Sequence, residues 1–269
     1  MMRLRIVPFI FLLAISLTPT ACRNETRTPE ELFTAAQKKQ EAGNKEKALA
    51  LYQEAAQQGH AEAQLALAGY YCCGSLGSLW CSSGGHTCGG RFADKPLAEK
   101  WYREAVPAFR KKAYAGDVEA QHTLAQLSYA GAGVDEDWNE ARRFWRMAAD
   151  QQDPRAHLWL GWLSQREENH TEAVTWYQSA AELGHESAYG QLSHLYLMGK
   201  GVPQNVVKAV ELLHEVIALG NTEAQTHLDR LIHGIRRGAS NGFEESKQYL
   251  RELEAAGLLP AEAPAEPTS

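Results

Sequence analysis

The residues most able to do chemistry lie close together. Cys72, Cys73, Cys81 and Cys88, with Trp80 and His86 among them, fall in one stretch of 17 residues that is rich in Gly and Ser and carries no Asp, Glu, Lys or Arg. Thiolates and an imidazole can ligate zinc, and a thiolate can act as a nucleophile. The spacing argues against zinc, because paired Cys-x-x-Cys knuckles are absent. Two disulfides are the better reading in an oxidising compartment. A bond between the neighbours Cys72 and Cys73 would close a strained eight-membered ring, so each is expected to join Cys81 or Cys88. Such bonds either staple a loop or shape a rigid knob that offers Trp80 and His86 to a partner.

Elsewhere the sequence is poor in reactive constellations. His60, His122, His157, His185, His194, His214, His227 and His233 are scattered, and none stands with a Ser or Cys in a recognisable nucleophile setting. A phosphate-cradling Gly loop, a His-Glu-x-x-His run and a paired-carboxylate motif are all missing. No cofactor or metal is implied. The expectation is a chain that is not an enzyme, with a lipid or peptidoglycan hydrolase as the lesser alternative.

The N-terminus says where such a chain would work. Arg3 and Arg5 precede an apolar run from Ile6 to Leu17, then Thr18 to Ala21, then Cys22. That order is the pattern of an export signal, here 1–21, and the run is too short for a stable membrane anchor. Cys22 resembles the processing site of bacterial lipoproteins, in which the thiol is lipidated. Pro19 stands where that family favours Leu, but lipidating Cys22 leaves four cysteines, an even number. Arg23 follows the cysteine, so the resemblance implies a periplasmic chain anchored to the outer membrane by lipid alone. Removing the signal takes two arginines from a chain of formal charge −6. That acidity argues against nucleic acid as a partner. Residues 22–28 read as a linker and 258–269, rich in Pro, Ala and Glu, as a disordered tail.

The fold is read from a repeat. Ala48 and Ala63 stand 15 residues apart, and so do Ala141 and Ala156, Ala173 and Ala188, and Ala209 and Ala224. Bulky pairs follow the first alanine of each set: Leu51-Tyr52, Phe144-Trp145, Trp176-Tyr177, Leu212-Leu213, with Trp101-Tyr102 after Ala98. Small residues let helix backbones approach, and bulky residues one turn away fill the groove beside them. Gly59, Gly184 and Gly220 read as helix ends. Two units carry a glycine loop, Gly131-Ala132-Gly133-Val134 and Gly199-Lys200-Gly201-Val202-Pro203.

Together these residues resemble the Sel-1-like repeat, a relative of the tetratricopeptide repeat. The resemblance implies an all-α fold, a right-handed superhelical solenoid of stacked helix–turn–helix units, with first helices lining a concave groove. The units fall at about 29–62, 63–119, 120–155, 156–187 and 188–223, with a C-terminal cap at 224–257. The first lacks the glycine loop, and the fourth replaces it with Glu167, Glu168, Asn169 and His170. The second carries 14 extra residues between its helices and a second helix longer by about two turns, with a kink expected at Pro107. Solenoids of this type usually bind protein, and the chain is expected to act as a monomer. Candidate contacts are Tyr70, Gln126, Trp159 and Trp162 on first helices, together with Trp80 and His86 of the insertion; deletion of Ser75 to Thr87 is expected to weaken binding. Exported repeat proteins of this kind resemble immunity proteins that plug the cleft of a type VI secretion effector with lipase activity. The alternative is a scaffold for envelope or polysaccharide assembly.

Overall fold

The computed structural model describes residues 27–73 and 94–259. Within them the chain is all α-helix with no strand: α1 (Pro29–Glu41), α2 (Lys45–Gln57), α3 (Ala61–Cys73), α4 (Lys95–Tyr114), α5 (Val118–Ala130), α6 (Trp138–Ala149), α7 (Pro154–Arg166), α8 (His170–Glu182), α9 (Glu186–Met198), α10 (Val206–Ala218), α11 (Thr222–Ser240) and α12 (Glu244–Ala255). Each odd-numbered helix packs on the next even one as a hairpin, and each hairpin packs on its neighbour in sequence. The result is a solenoid, in which a unit buries its apolar face only against the units beside it.

Local chemistry starts most of these helices. Asn44, Asp94, Asp117, Asp137, Asp153, Asn169, Asn205 and Asn221 each cap a helix, their side-chain oxygens accepting backbone N–H bonds of the first turn. Thr28 and Glu31 form a reciprocal capping box before α1.

The recurring alanines are where the helices meet. Ala48, Ala63, Ala98, Ala120, Ala141, Ala156, Ala173, Ala188 and Ala209 are fully buried. Gly161 takes this logic furthest: a Cβ there would lie 2.7 Å from the Tyr177 ring. The glycine loops have a similar purpose. A Cβ on Gly133 would strike the backbone between Tyr102 and Arg103, and one on Gly201 the backbone of His170 and Thr171. Each loop therefore lies flush on the preceding unit. The fourth unit has no such loop and turns instead through Glu168, an L-residue at φ +61°.

Polar residues stitch the units together. Gln64 and Gln121 donate from Nε2 to the carbonyls of Ala56 and Ala113, at 3.2 and 3.0 Å, and the Tyr189 hydroxyl donates to Ala181 at 3.2 Å. All three acceptors sit in the last turn of the preceding unit's second helix, where carbonyls lack helical partners. α4 has 20 residues against 13 in α2, and includes Pro107. At the C-terminal end, Leu253 of α12 is buried against Val206, Val210, Leu228 and Ile232, closing the stack. Among the described residues no helix is long and apolar enough to cross a membrane.

Candidate protein-binding site

Three successive helices bring five aromatic rings together. α7 carries Trp159, Trp162 and Arg166 at spacings that share one helix face, and α6 carries Trp138 and Trp145 two turns apart. Tyr129, near the end of α5, lies among them. Trp145 stacks on Trp159 with centroids 5.1 Å apart and planes within 1° of parallel. Trp162 meets Tyr129 edge to face at 5.3 Å and lies 5.9 Å from Trp159 and 6.4 Å from Trp138. Trp145 and Tyr129 are buried, whereas Trp138, Trp159 and Trp162 are only half-buried.

The edge of the cluster is polar. The Arg166 guanidinium stands over Trp162 at 5.0 Å and over Trp138 at 5.6 Å. Trp138 donates its indole N–H to Glu136 at 2.8 Å. Large rings with apolar faces and polar tips are the side chains that most often anchor protein partners.

The expected contact residues fare differently. Trp159 and Trp162 belong to the cluster and keep part of their surface. Tyr70 of α3 is half-buried, 5.4 Å from Tyr71 in an edge-to-face pair, and no described ring contact joins it to the cluster. Gln126 departs from the expectation of an exposed groove residue. It is buried, with 8 % of its surface accessible, because α5 is enclosed by its neighbours and buries every residue from Ala120 to Tyr129. Trp80, His86, Cys22, Cys81, Cys88 and the side chain of Cys73 lie outside the described residues. Cys72, at the end of α3, is disulfide-bonded.

Sequence reasoning missed Tyr129, Trp138 and Arg166. The signal was present in the spacing of Trp138 to Trp145 and of Trp159 through Trp162 to Arg166, but no pattern says that two helices will point such stripes at one another.

Two grooves lie between first helices. One of about 400 Å³ separates α9 from α11, with Gln191, His194, Asn221 and His227 on its walls. The other, of about 280 Å³, runs between α1 and α3 past Phe33, Gln37, Glu62 and Leu65.

A polar network, buried at Asp153 and His122 and exposed at Glu119, lies where α5 and α7 begin. Arg155 donates to Asp153 at 2.9 Å and to both carboxylate oxygens of Glu119 at 2.6 and 3.0 Å. His122 is buried beside it, its Nδ1 3.6 Å from an Asp153 carboxylate oxygen, too far for a hydrogen bond. Burial and the Arg155 charge push the His122 pKa down to about 4, against the opposing pull of Asp153 and Glu119. Among the described residues no hydroxyl or thiol is hydrogen-bonded to this imidazole. Among the described residues no group of three or more His, Cys, Asp or Glu side chains is arranged to hold a metal.

The sequence profile of the Sel1 repeat matches residues 38–60, 118–153, 154–185 and 187–221. A Sel1 repeat protein of Oxalobacter formigenes is 32% identical over 46% of this chain and 97% of its own, with a TM-score of 0.42. The chain belongs to the Sel1 repeat family. A protective antigen of uropathogenic Escherichia coli strains is 20% identical over 86% of this chain and 65% of its own, with a TM-score of 0.44. An immunity protein of Pseudomonas aeruginosa is 18% identical over 63% of this chain and 73% of its own, with a TM-score of 0.32. Sel1 repeats mediate contacts between proteins, and the half-buried aromatic cluster is where this Sel1 array offers the largest rings. The three C-terminal profile matches coincide with the hairpins that carry glycine loops or the short turn at Glu168.

Proposed function

We propose that this Sel1 repeat protein works by binding one protein partner and has no catalytic step of its own, and that the partner is a secreted toxin with lipase activity, which it neutralises in the periplasm. The observation that carries the binding role is the aromatic cluster of α5, α6 and α7. Trp138, Trp159 and Trp162 pack against the core, Trp159 on the buried Trp145, and still retain exposed surface. Rings kept at the surface on rigid helices bind with little loss of conformational freedom.

The neutralising role is supported by the export pattern of residues 1–21 and by the single large insertion, which suit a dedicated binder of one partner. The immunity function named for the Pseudomonas aeruginosa chain is that protein's own.

The test is protection. A lipase-type effector encoded beside this gene, sent to the periplasm of a host cell, should kill it, and co-expression of the full chain should restore growth. The double variant Trp159→Ala/Trp162→Ala, folded by circular dichroism, should protect poorly. Full binding to that effector by the double variant would move the partner site away from the cluster. Failure to bind any neighbouring effector, with retention of a partner from envelope assembly, would favour a scaffold.

A further inference from the structure

Arg166 stands apart from the arginines around it. On the same two helices Arg142 pairs with Glu167, Arg146 with Glu172 at 3.7 Å, and Arg155 with Glu119 and Asp153, while Arg143, over the Tyr114 and Phe144 rings, donates to the Tyr114 hydroxyl at 2.9 Å. Arg166 is exposed and, among the described residues, makes neither an ion pair nor a hydrogen bond. Two carboxylates of the neighbouring segments are engaged elsewhere: Glu136 with the Trp138 indole, Glu167 with Arg142. A cation in the last turn of a helix suits the dipole. That accounts for the sign of the charge but not for the two indole rings that hold it.

We propose that Arg166, held between Trp138 and Trp162, receives an Asp or Glu carboxylate of the partner protein, while an apolar residue beside that carboxylate lies on the indole faces. This rests on the reading that the cluster binds protein. Stacked on rings, a guanidinium keeps its in-plane donors free for bidentate pairing with a carboxylate. Contact with the two rings restricts the side chain before the partner arrives, so less freedom is lost on binding. The chain is acidic overall, with a formal charge of −6, so an acidic partner segment meets net repulsion and is drawn to local cations such as this one. That difference gives register and specificity. Lys at this position would keep the charge and lose the planar fork.

The test uses two small probes on the full chain, N-acetyl-Phe-Glu-amide and N-acetyl-Phe-Gln-amide, followed by NMR of the indole and Arg166 side-chain N–H signals. The Glu probe should bind at least about tenfold more tightly than the Gln probe, the scale of a charge-assisted hydrogen bond. Arg166→Gln should abolish that preference with helical content unchanged, and Arg166→Lys should keep only part of it. A preference that survives Arg166→Gln, or no binding of either probe, overturns the proposal. Equal binding of both probes, lost in Trp162→Ala, overturns carboxylate recognition and leaves the cluster as an apolar docking surface. Failure of the binding role itself would read differently, as an effector interaction indifferent to Trp159→Ala/Trp162→Ala.

Discussion

The middle of the solenoid and its C-terminal end meet the same packing demand with different residues. Around α10, α11 and α12 the core is aliphatic: Val206, Val210, Leu213, Leu228, Ile232, Ile235 and Leu253. Around α5, α6 and α7 it is aromatic and partly polar, with Tyr129, Phe144 and Trp145 beside buried Gln121, His122, Asp153 and Ser164. Aliphatic side chains can be hidden whole. Indoles have a polar edge and wide faces, and those faces reach the surface here. One consequence is an uncompensated group: the Trp145 indole N–H is buried with no acceptor among the described residues. The aliphatic end closes the array, and the aromatic middle leaves ring faces at the surface.

The largest expected effect separates the two regions by cooperativity. Trp145→Ala should cost about 3–5 kcal/mol, the range for a large buried aromatic. Because the ring touches Tyr129 and Trp159, α5, α6 and α7 should loosen together. Leu253→Ala should cost about 2–4 kcal/mol yet loosen only the cap, since solenoid units are coupled to nearest neighbours. Hydrogen exchange on both variants checks this. Loss of protection throughout the array in Leu253→Ala would erase the distinction.

Acid should find the middle first. The His122 pKa is pushed down to about 4 by burial, then by Arg155, from 6.5 in the unfolded chain. Folding therefore favours the neutral ring. Its full stability is present above pH 6.5 and is lost as pH falls from there towards 4. Between pH 7 and pH 5 the loss should reach about 2 kcal/mol, at 1.36 kcal/mol per unit. Urea unfolding at the two pH values should show this in the native chain, and His122→Gln should flatten it. An equal fall in the variant would assign the acid sensitivity to other groups.

Smaller effects test the close approaches. Gly161→Ala presses a methyl group into the Tyr177 ring and should cost about 1–3 kcal/mol by overpacking. The smallest change is in the opposite direction. Gln152, ending the α6 unit, holds φ +62° where Gly59, Gly116, Gly184 and Gly220 serve the other units. Gln152→Gly should relieve left-handed strain and stabilise by at most about 1 kcal/mol. A measured loss on thermal unfolding would mean that the Gln152 side chain makes a contact worth more than the strain.

What the amino-acid order determined by itself is the run of helices and their contacts in sequence. The alanine spacing, the Asp and Asn caps and the glycines just past helix ends are local signals, and each acts within a turn or two of its own residue. They make the solenoid legible, including the long α4. The exposure of a given side chain is not local. Gln126 looks like a surface residue from its type and is buried because α4 and α6 pack on α5, with α7 rings against its end. Trp159 and Trp162 were visible as unusual, but their company was not. Whether a ring becomes core or contact surface depends on what the next unit lays beside it. The meeting of Tyr129, Trp138, Trp159, Trp162 and Arg166 was therefore decided only when three helices, each legible alone, were set at fixed rotations to one another by the packing of alanines between them.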